Sequence, residues 1–386
     1  MIHTMETPKA VYVHIPFCRH KCYYCDFNTY ALKNQPVMKY LQAMEREIEQ
    51  TVKQIPPDTI ETIFIGGGTP TALSVEEMRY LLQVLNTYFP NRSTDFEFTS
   101  EANPGTTDDE KFNVMYEGGV NRMSFGVQTF RNELLVSLGR IHDVDDVYRS
   151  IERARKTGFR NLSIDLMFGL PRQTLADMEH SLNSALQLDL THYSLYSLKV
   201  EESTLFHTLY ERNELPLPEE ETEVAMYEMI MHRLQKEGYR QYEISNFAKP
   251  GFESRHNSMY WRNKSYYGFG AGAHGYMHGI RHMNVKGVQA YIDAAAKGLP
   301  RLEEHRVDPK EAMEDFMMVG LRMMEGVKRD GFREQFGIEL ESVFGPILTR
   351  LVQLKALERD EQGYRLSRQA IPIGNEVFGE FVGSIT

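Results

Sequence analysis

"AVYVHIPFCRHKCYYCDF", residues 10–27, carries a short β-rich run and then, within eight residues, all three cysteines of a 386-residue chain. Val11 and Val13 alternate with Tyr12 and His14, the period of a strand whose two faces differ. The loop that follows sets Cys18, Cys22 and Cys25 in a C-x3-C-x2-C spacing and ends in Phe27. Thiols so close together, with none elsewhere, speak for a reducing compartment and ligand chemistry, not for a disulfide framework. Soft thiolates select zinc, copper(I) or iron–sulfur clusters. A closed structural zinc site needs a fourth ligand, which His14 or His20 could supply. Three cysteines on a four-iron cluster instead leave one iron open to a ligand.

Outward from this run, residues 10–200 alternate strand-like and helix-like patterns. "ETIFIGGG", "DFEFTSEANP", "RMSFGVQ", "NLSIDLMFGLP" and "HYSLYSLKV" read as strands. Between them lie helical stretches such as "SVEEMRYLLQVLNTYF", which Ser74 and Glu77 open as a capping box. Repetition at roughly 30 residues is the βαβ signal of a parallel sheet. It predicts an α/β fold, a complete or partial (β/α) barrel, with a doubly wound open sheet as the alternative. "GGGTP", "SEANP", "GVQ" and "DLMFGLP" all stand where strand-like runs end, where parallel sheets bind ligands.

A long acidic helix is expected over 219–237, then "GYRQYEISNFAKPG" as a strand with its exit, then the Gly-rich "YYGFGAGAHGYMHG". From residue 300 helices give way to the hairpin-like "ALERDEQGYRLS", a winged-helix-like pattern. Three domains are expected: 1–215 as the core, 216–299 as an extension completing the barrel mouth, and 300–386 as the C-terminal helical module. The Met-rich "MMVGLRMM" reads as packing. Twelve Lys/Arg against sixteen Asp/Glu in residues 301–386, and a net charge of −11 overall, argue against nucleic-acid binding. Residues 1–10 are polar and unlike a signal peptide, and no stretch is long enough to span a membrane. A cytoplasmic protein is expected.

The cysteine loop after the first strand resembles the radical S-adenosylmethionine (SAM) superfamily. That resemblance implies a partial (β/α)6 TIM-like barrel, a 4Fe–4S cluster on Cys18, Cys22 and Cys25, and SAM bound at the open iron for reductive cleavage to a 5′-deoxyadenosyl radical. "YVHIPFC", "GGGTP", "GVQ" and "DLMFGLP" together resemble the oxygen-independent coproporphyrinogen III dehydrogenase (HemN) family over most of the chain. By that resemblance Tyr12 lies against the cluster and SAM, and Tyr24 flanks the adenine. Gly67, Gly68 and Thr69 cradle the SAM amino end, and Glu101 accepts from the ribose hydroxyls. Gln128, Arg140 and Asp165 match positions that hold a second SAM in the family's dehydrogenases.

Those dehydrogenases carry a further cysteine where this chain has Phe27, and a longer segment before the loop. With "RHNSMYW", these departures resemble the HemW branch, whose members carry an H-N-x-x-Y-W motif and act as heme chaperones. Here the motif is His256, Asn257, Tyr260 and Trp261, with His256 the preferred axial donor to heme. His274, His278 and His282, four residues apart, are secondary candidates, although the surrounding glycines count against a helix. The resemblance implies heme, a heme-recipient protein such as a respiratory or membrane enzyme, and a flavodoxin-like reductant as partners. Its alternative is decarboxylation of two propionates of coproporphyrinogen III in porphyrin biosynthesis.

Overall fold

A computed structural model describes residues 7–385 of the chain. The polar start expected over residues 1–10 falls mostly on 1–6, which lie outside the described residues. Six parallel strands stand in the sheet in their chain order: β1 (Ala10–Ile15), β2 (Ile60–Gly67), β3 (Arg92–Ala102), β4 (Arg122–Gln128), β5 (Asn161–Phe168) and β6 (His192–Ser197). Every crossover therefore steps in the same direction. A doubly wound sheet would reverse at its middle, so that alternative is excluded.

The helices between them form where the sequence places them. Ser74 caps Val75–Tyr88 by accepting from the Glu77 amide, and Glu77 answers on the Ser74 amide. Asp143 and Thr174 repeat the box for Val144–Thr157 and Leu175–Gln187. Each cap is worth about 1 kcal/mol. Within the strands the alternation separates two chemistries. On β4, Met123, Phe125 and Val127 are buried, apolar and turned to one face, while Arg122, Ser124, Gly126 and Gln128 share the other. The polar faces line an interior, and the apolar faces meet the surrounding helices.

The barrel stays open. Beyond β6 lie two short antiparallel strands, β7 (Arg240–Glu243) outermost and β8 (Asn246–Ala248) against β6. Beyond β1 lies β9 (Tyr266–Phe269), parallel to it, and then an antiparallel run of β10 (His274–Met277), β11 (Ile280–Asn284) and β12 (Arg301–Arg306). The long acidic helix spans Glu220–Lys236, close to expectation.

The three late histidines share no helical face. His274 and His282 belong to the paired strands β10 and β11, and His278 occupies the tight turn between them with φ +50°. Glycine makes this hairpin fit: a Cβ on Gly275 would come within 2.2 Å of the His282 ring.

The C-terminal elements run helix Pro309–Gly320, strand Val327–Lys328, helices Arg329–Phe336 and Leu340–Gln353, then the hairpin Leu357–Arg359 with Gly363–Leu366. That is the winged-helix-like order expected from the sequence. Met317 and Met323 are buried, so the methionine run is packing material. The module meets the barrel where β7 ends: Glu243 bridges to Met323, and its fully buried carboxylate accepts from Arg322 at 3.4 Å. Among the described residues no helix is long and apolar enough to cross a membrane.

Candidate cofactor site

The carboxyl ends of β2 to β6 and the cysteine loop surround one cavity of about 380 Å³. Cys18, Cys22 and Cys25 all line it, with Phe27 beside them. Residues from five adjacent strands can share one space only because the sheet curls. Phe27 is 57% exposed, an apolar ring left at the rim of the opening.

The cysteine loop is held from several sides. Phe17–Cys18 pairs with Tyr30–Ala31, the Tyr23 amide donates to the Leu138 carbonyl, and the Thr69 hydroxyl reaches Cys18 Sγ at 3.5 Å. Arg140 spans the gap, with one nitrogen on Cys22 Sγ at 3.5 Å and the other on Asn103 Oδ1 at 2.7 Å. Asn103 in turn donates to Thr69 at 2.9 Å. Burial pushes the Cys25 thiol up to about 11 and raises Cys18 as well, so both stay protonated until a metal displaces the protons. Among the described residues no three His, Cys, Asp or Glu are arranged to hold a single metal ion. His14, an expected zinc donor, has its ring between the Tyr12 hydroxyl (2.9 Å) and the Asn28 carbonyl (3.0 Å).

The glycine turn is shaped by what lies against it. Gly67 has φ +107°, and a Cβ there would sit 2.5 Å from the His14 ring. A Cβ on Gly68 would meet the Phe17 carbonyl oxygen at 2.8 Å and Cys18 Sγ at 3.0 Å. The Gly67 amide donates to Glu101 Oε2 at 3.0 Å. Burial, with the charge of Asp165 added to it, pushes Glu101 up to about 8. Asp165 is itself pushed up to about 6 by burial and accepts from Ser124 at 3.3 Å. Gln128 adopts φ +71° where the register of β4 slips, and its side chain accepts from the Tyr196 hydroxyl at 3.0 Å. A non-glycine residue in that region marks strain held at a site.

Every residue expected to hold SAM lines the cavity except Tyr12. Its hydroxyl is on His14 and its ring lies near Phe64, 6.3 Å between centroids. Sequence reasoning missed Asn103, Arg122, His192, Ser194 and Asn246 as lining residues. For Arg122 the signal was present: in "RMSFGVQ" every second residue from Arg122 faces the interior.

The chain matches the model of the radical SAM superfamily over residues 12–185 and that of the HemN C-terminal domain over 307–373. It is 48% identical to the Bacillus subtilis protein named heme chaperone HemW, over 98% of this chain and 100% of that one. Its likeness to the Lactococcus lactis protein of the same name is 41%, covering 98% of each. The chain belongs to the HemW family of radical SAM proteins. The HemN structure from Escherichia coli shares its fold, with a TM-score of 0.85 over 98% of this chain and 91% of that one, at 22% identity. Superfamily membership implies a 4Fe–4S cluster and SAM. The residues fit both: three thiols line one cavity without converging on a point, beside a turn where a side chain would clash with Cys18.

The H-N-x-x-Y-W segment forms the helix Arg255–Trp261, which packs against β2 and β3. The Glu97 carboxylate takes the Arg255 and His256 amides at 3.0 and 3.1 Å, and Arg255 pairs with Glu61 and Asp95. His256 is fully buried, with Nδ1 on the Thr62 hydroxyl and Nε2 on the Tyr260 hydroxyl, each at 2.8 Å. Phe64 stacks on its ring at 5.1 Å. Burial, helped by the charge of Arg122, lowers it to about 3, so it is neutral. Both nitrogens of the ring expected as axial donor are engaged within the protein. Asn257 lines the cavity from below. Trp261 is half-buried against the cluster of Tyr242, Ala248 and Met323, with the Arg322 guanidinium 4.2 Å over its ring.

Proposed function

We propose that this protein binds heme and delivers it to a recipient protein in the cytoplasm, holding a 4Fe–4S cluster on Cys18, Cys22 and Cys25 with SAM beside it. The observation that supports this most is the end-to-end likeness to relatives named heme chaperones, C-terminal module included. A bound cluster would supply an electron from a flavodoxin-like donor and an open iron for the amino and carboxylate groups of SAM. The chain's own residues do the holding. Gly67, Gly68 and Thr69 offer backbone to an ammonium, Glu101 accepts from the ribose hydroxyls, and Tyr24 flanks the adenine. Arg140 keeps a positive charge between cluster and carboxylate. The H-N-x-x-Y-W helix serves as a buried brace under this site, with His256 neutral and internally bonded.

A second reading has a specific support: Gln128, Arg140 and Asp165 line the cavity together, as oxidative decarboxylation of coproporphyrinogen III with two SAM molecules would require. Two anaerobic assays on the reconstituted protein separate the readings. Titration with hemin, followed by mixing with an apo-acceptor, is expected to show stoichiometric binding and transfer. Incubation with SAM, reductant and coproporphyrinogen III is expected to give no protoporphyrinogen beyond the background. Catalytic turnover there would overturn the chaperone reading as the sole function.

A further inference from the structure

Arg122 opens β4 on the interior face, six residues and roughly 20 Å of strand below Gln128. It is 2% exposed and among the largest fully buried side chains of the protein. A guanidinium carries five donors and a charge that it cannot shed by losing a proton. Such groups are normally paired when buried. This one is not: Nε meets no acceptor, and among the described residues the side chain makes no hydrogen bond or ion pair. Glu101 and Asp165 feel its charge without bonding to it. The side chain lines the cavity, so its donors face the space where ligands sit.

No neighbouring carboxylate bonds to it either: Glu101 and Asp165 share the cavity lining without reaching it. Asn257 and Ser194 line the same floor, and both are neutral. Asn246 donates to Glu243, while its Oδ1 is buried without a partner. The His192 ring is held between the Ser163 hydroxyl at 2.7 Å and the Tyr242 hydroxyl at 2.9 Å. What is missing from this floor is an acceptor bearing one negative charge. A phosphate dianion would leave excess charge next to Asp165 and Glu101, whereas a carboxylate matches both the guanidinium fork and its single charge.

We propose that Arg122, with Asn257 beside it, is a carboxylate-binding floor that receives the acid group of a ligand seated below the cluster. The inference rests on the proposed function for the ligands in question. Two of them carry such a group: a tetrapyrrole through a propionate, and a second SAM, other than the one at the open iron, through its methionyl carboxylate. Either would replace the water that otherwise solvates a desolvated cation, and would gain a charge-assisted pair in a low-dielectric site.

The test compares each ligand with its carboxylate-free form, on the full chain. Hemin is set against hemin dimethyl ester on the cluster-loaded protein. SAM is set against decarboxylated SAM on the cluster-free protein, so that an open iron cannot account for the difference. The wild-type protein is expected to bind one of the two acids at least tenfold more tightly than its blocked partner, which identifies the source. Arg122→Gln is expected to level that pair, and Arg122→Lys to keep part of the preference. A cooperative thermal melt establishes that each variant folds; if Arg122→Gln does not, Asn257→Leu takes its place and is expected to narrow the preference. Equal binding of acid and blocked forms in both pairs would overturn the floor while leaving heme binding intact, as would a preference that survives Arg122→Gln. Failure of hemin to bind in either form would overturn the proposed function and leave the SAM pair to decide the floor; failure of both ligands would overturn both.

Discussion

His256 Nε2 and the Tyr260 hydroxyl lie 2.8 Å apart, one helical turn from each other, on the helix that packs against β2 and β3. The opposite nitrogen is equally bound to Thr62. Removing the ring strands two buried hydroxyls and opens a cavity against Phe64. His256→Ala is expected to cost about 3 kcal/mol in denaturant unfolding. The Soret band of bound heme should keep its wild-type position. A displaced band at unchanged stability would return this ring to the iron.

Gly68 packs directly against the first cysteine of the loop. Its missing Cβ leaves room for the Phe17 carbonyl and for Cys18 Sγ, so Gly68→Ala must move the first thiol. Iron and sulfide per chain after anaerobic reconstitution should fall at least severalfold. Gly298→Ala, where a Cβ meets nothing within 4 Å, is expected to load like the wild type.

Arg322 joins the C-terminal module to the barrel through Glu243 and covers the single tryptophan of the chain. Arg322→Ala would leave a fully buried carboxylate without its cation, a loss of about 3 kcal/mol. Because Trp261 is alone, intrinsic fluorescence reads this seam without interference. The expected result is a shifted emission maximum together with a lower unfolding midpoint.

Glu47 lies buried, accepting from the Gly270 amide at 3.0 Å, from Asn284 at 2.6 Å and from the Tyr291 hydroxyl. Burial pushes it up to about 7 from 4.5. The folded state thus holds a proton that the unfolded chain gives up. Its stabilising contribution is full below pH 4.5 and fades as pH rises through about 7, a span of about 3 kcal/mol. Glu47→Gln removes the dependence. The variant's stability relative to wild type should therefore climb between pH 4.5 and pH 7.5, as read by urea midpoints.

Much of this site could be read from the sequence because strand ends and glycine turns leave local marks. The C-x3-C-x2-C loop, the capping box at Ser74, and the polar residues at the strand ends carried the parallel barrel and most of the cavity lining. What escaped depends on distant partners. Nothing near His256 announces that Thr62, 194 residues earlier, will bind its ring. Likewise, the spacing of His274, His278 and His282 fits a helix until backbone contacts force a hairpin: a Cβ on Gly268 would come within 1.7 Å of the His274 carbonyl oxygen. Tyr12, expected against the cofactors, does not line the cavity; its hydroxyl is taken by His14 on its own strand.

An unclosed barrel exposes two strand edges, and unpaired edges recruit other chains. Each edge here is blunted in its own way. β12, "RLEEHR", has Arg301 and Arg306 at its ends and Glu303 and Glu304 between them, with residues 302–306 exposed, so a second copy pairing antiparallel in register would set like charges opposite each other. β7 is met by the C-terminal module through the Glu243–Met323 bridge. The winged-helix-like module thus covers part of that edge and leaves fewer of its backbone groups free to pair with another chain.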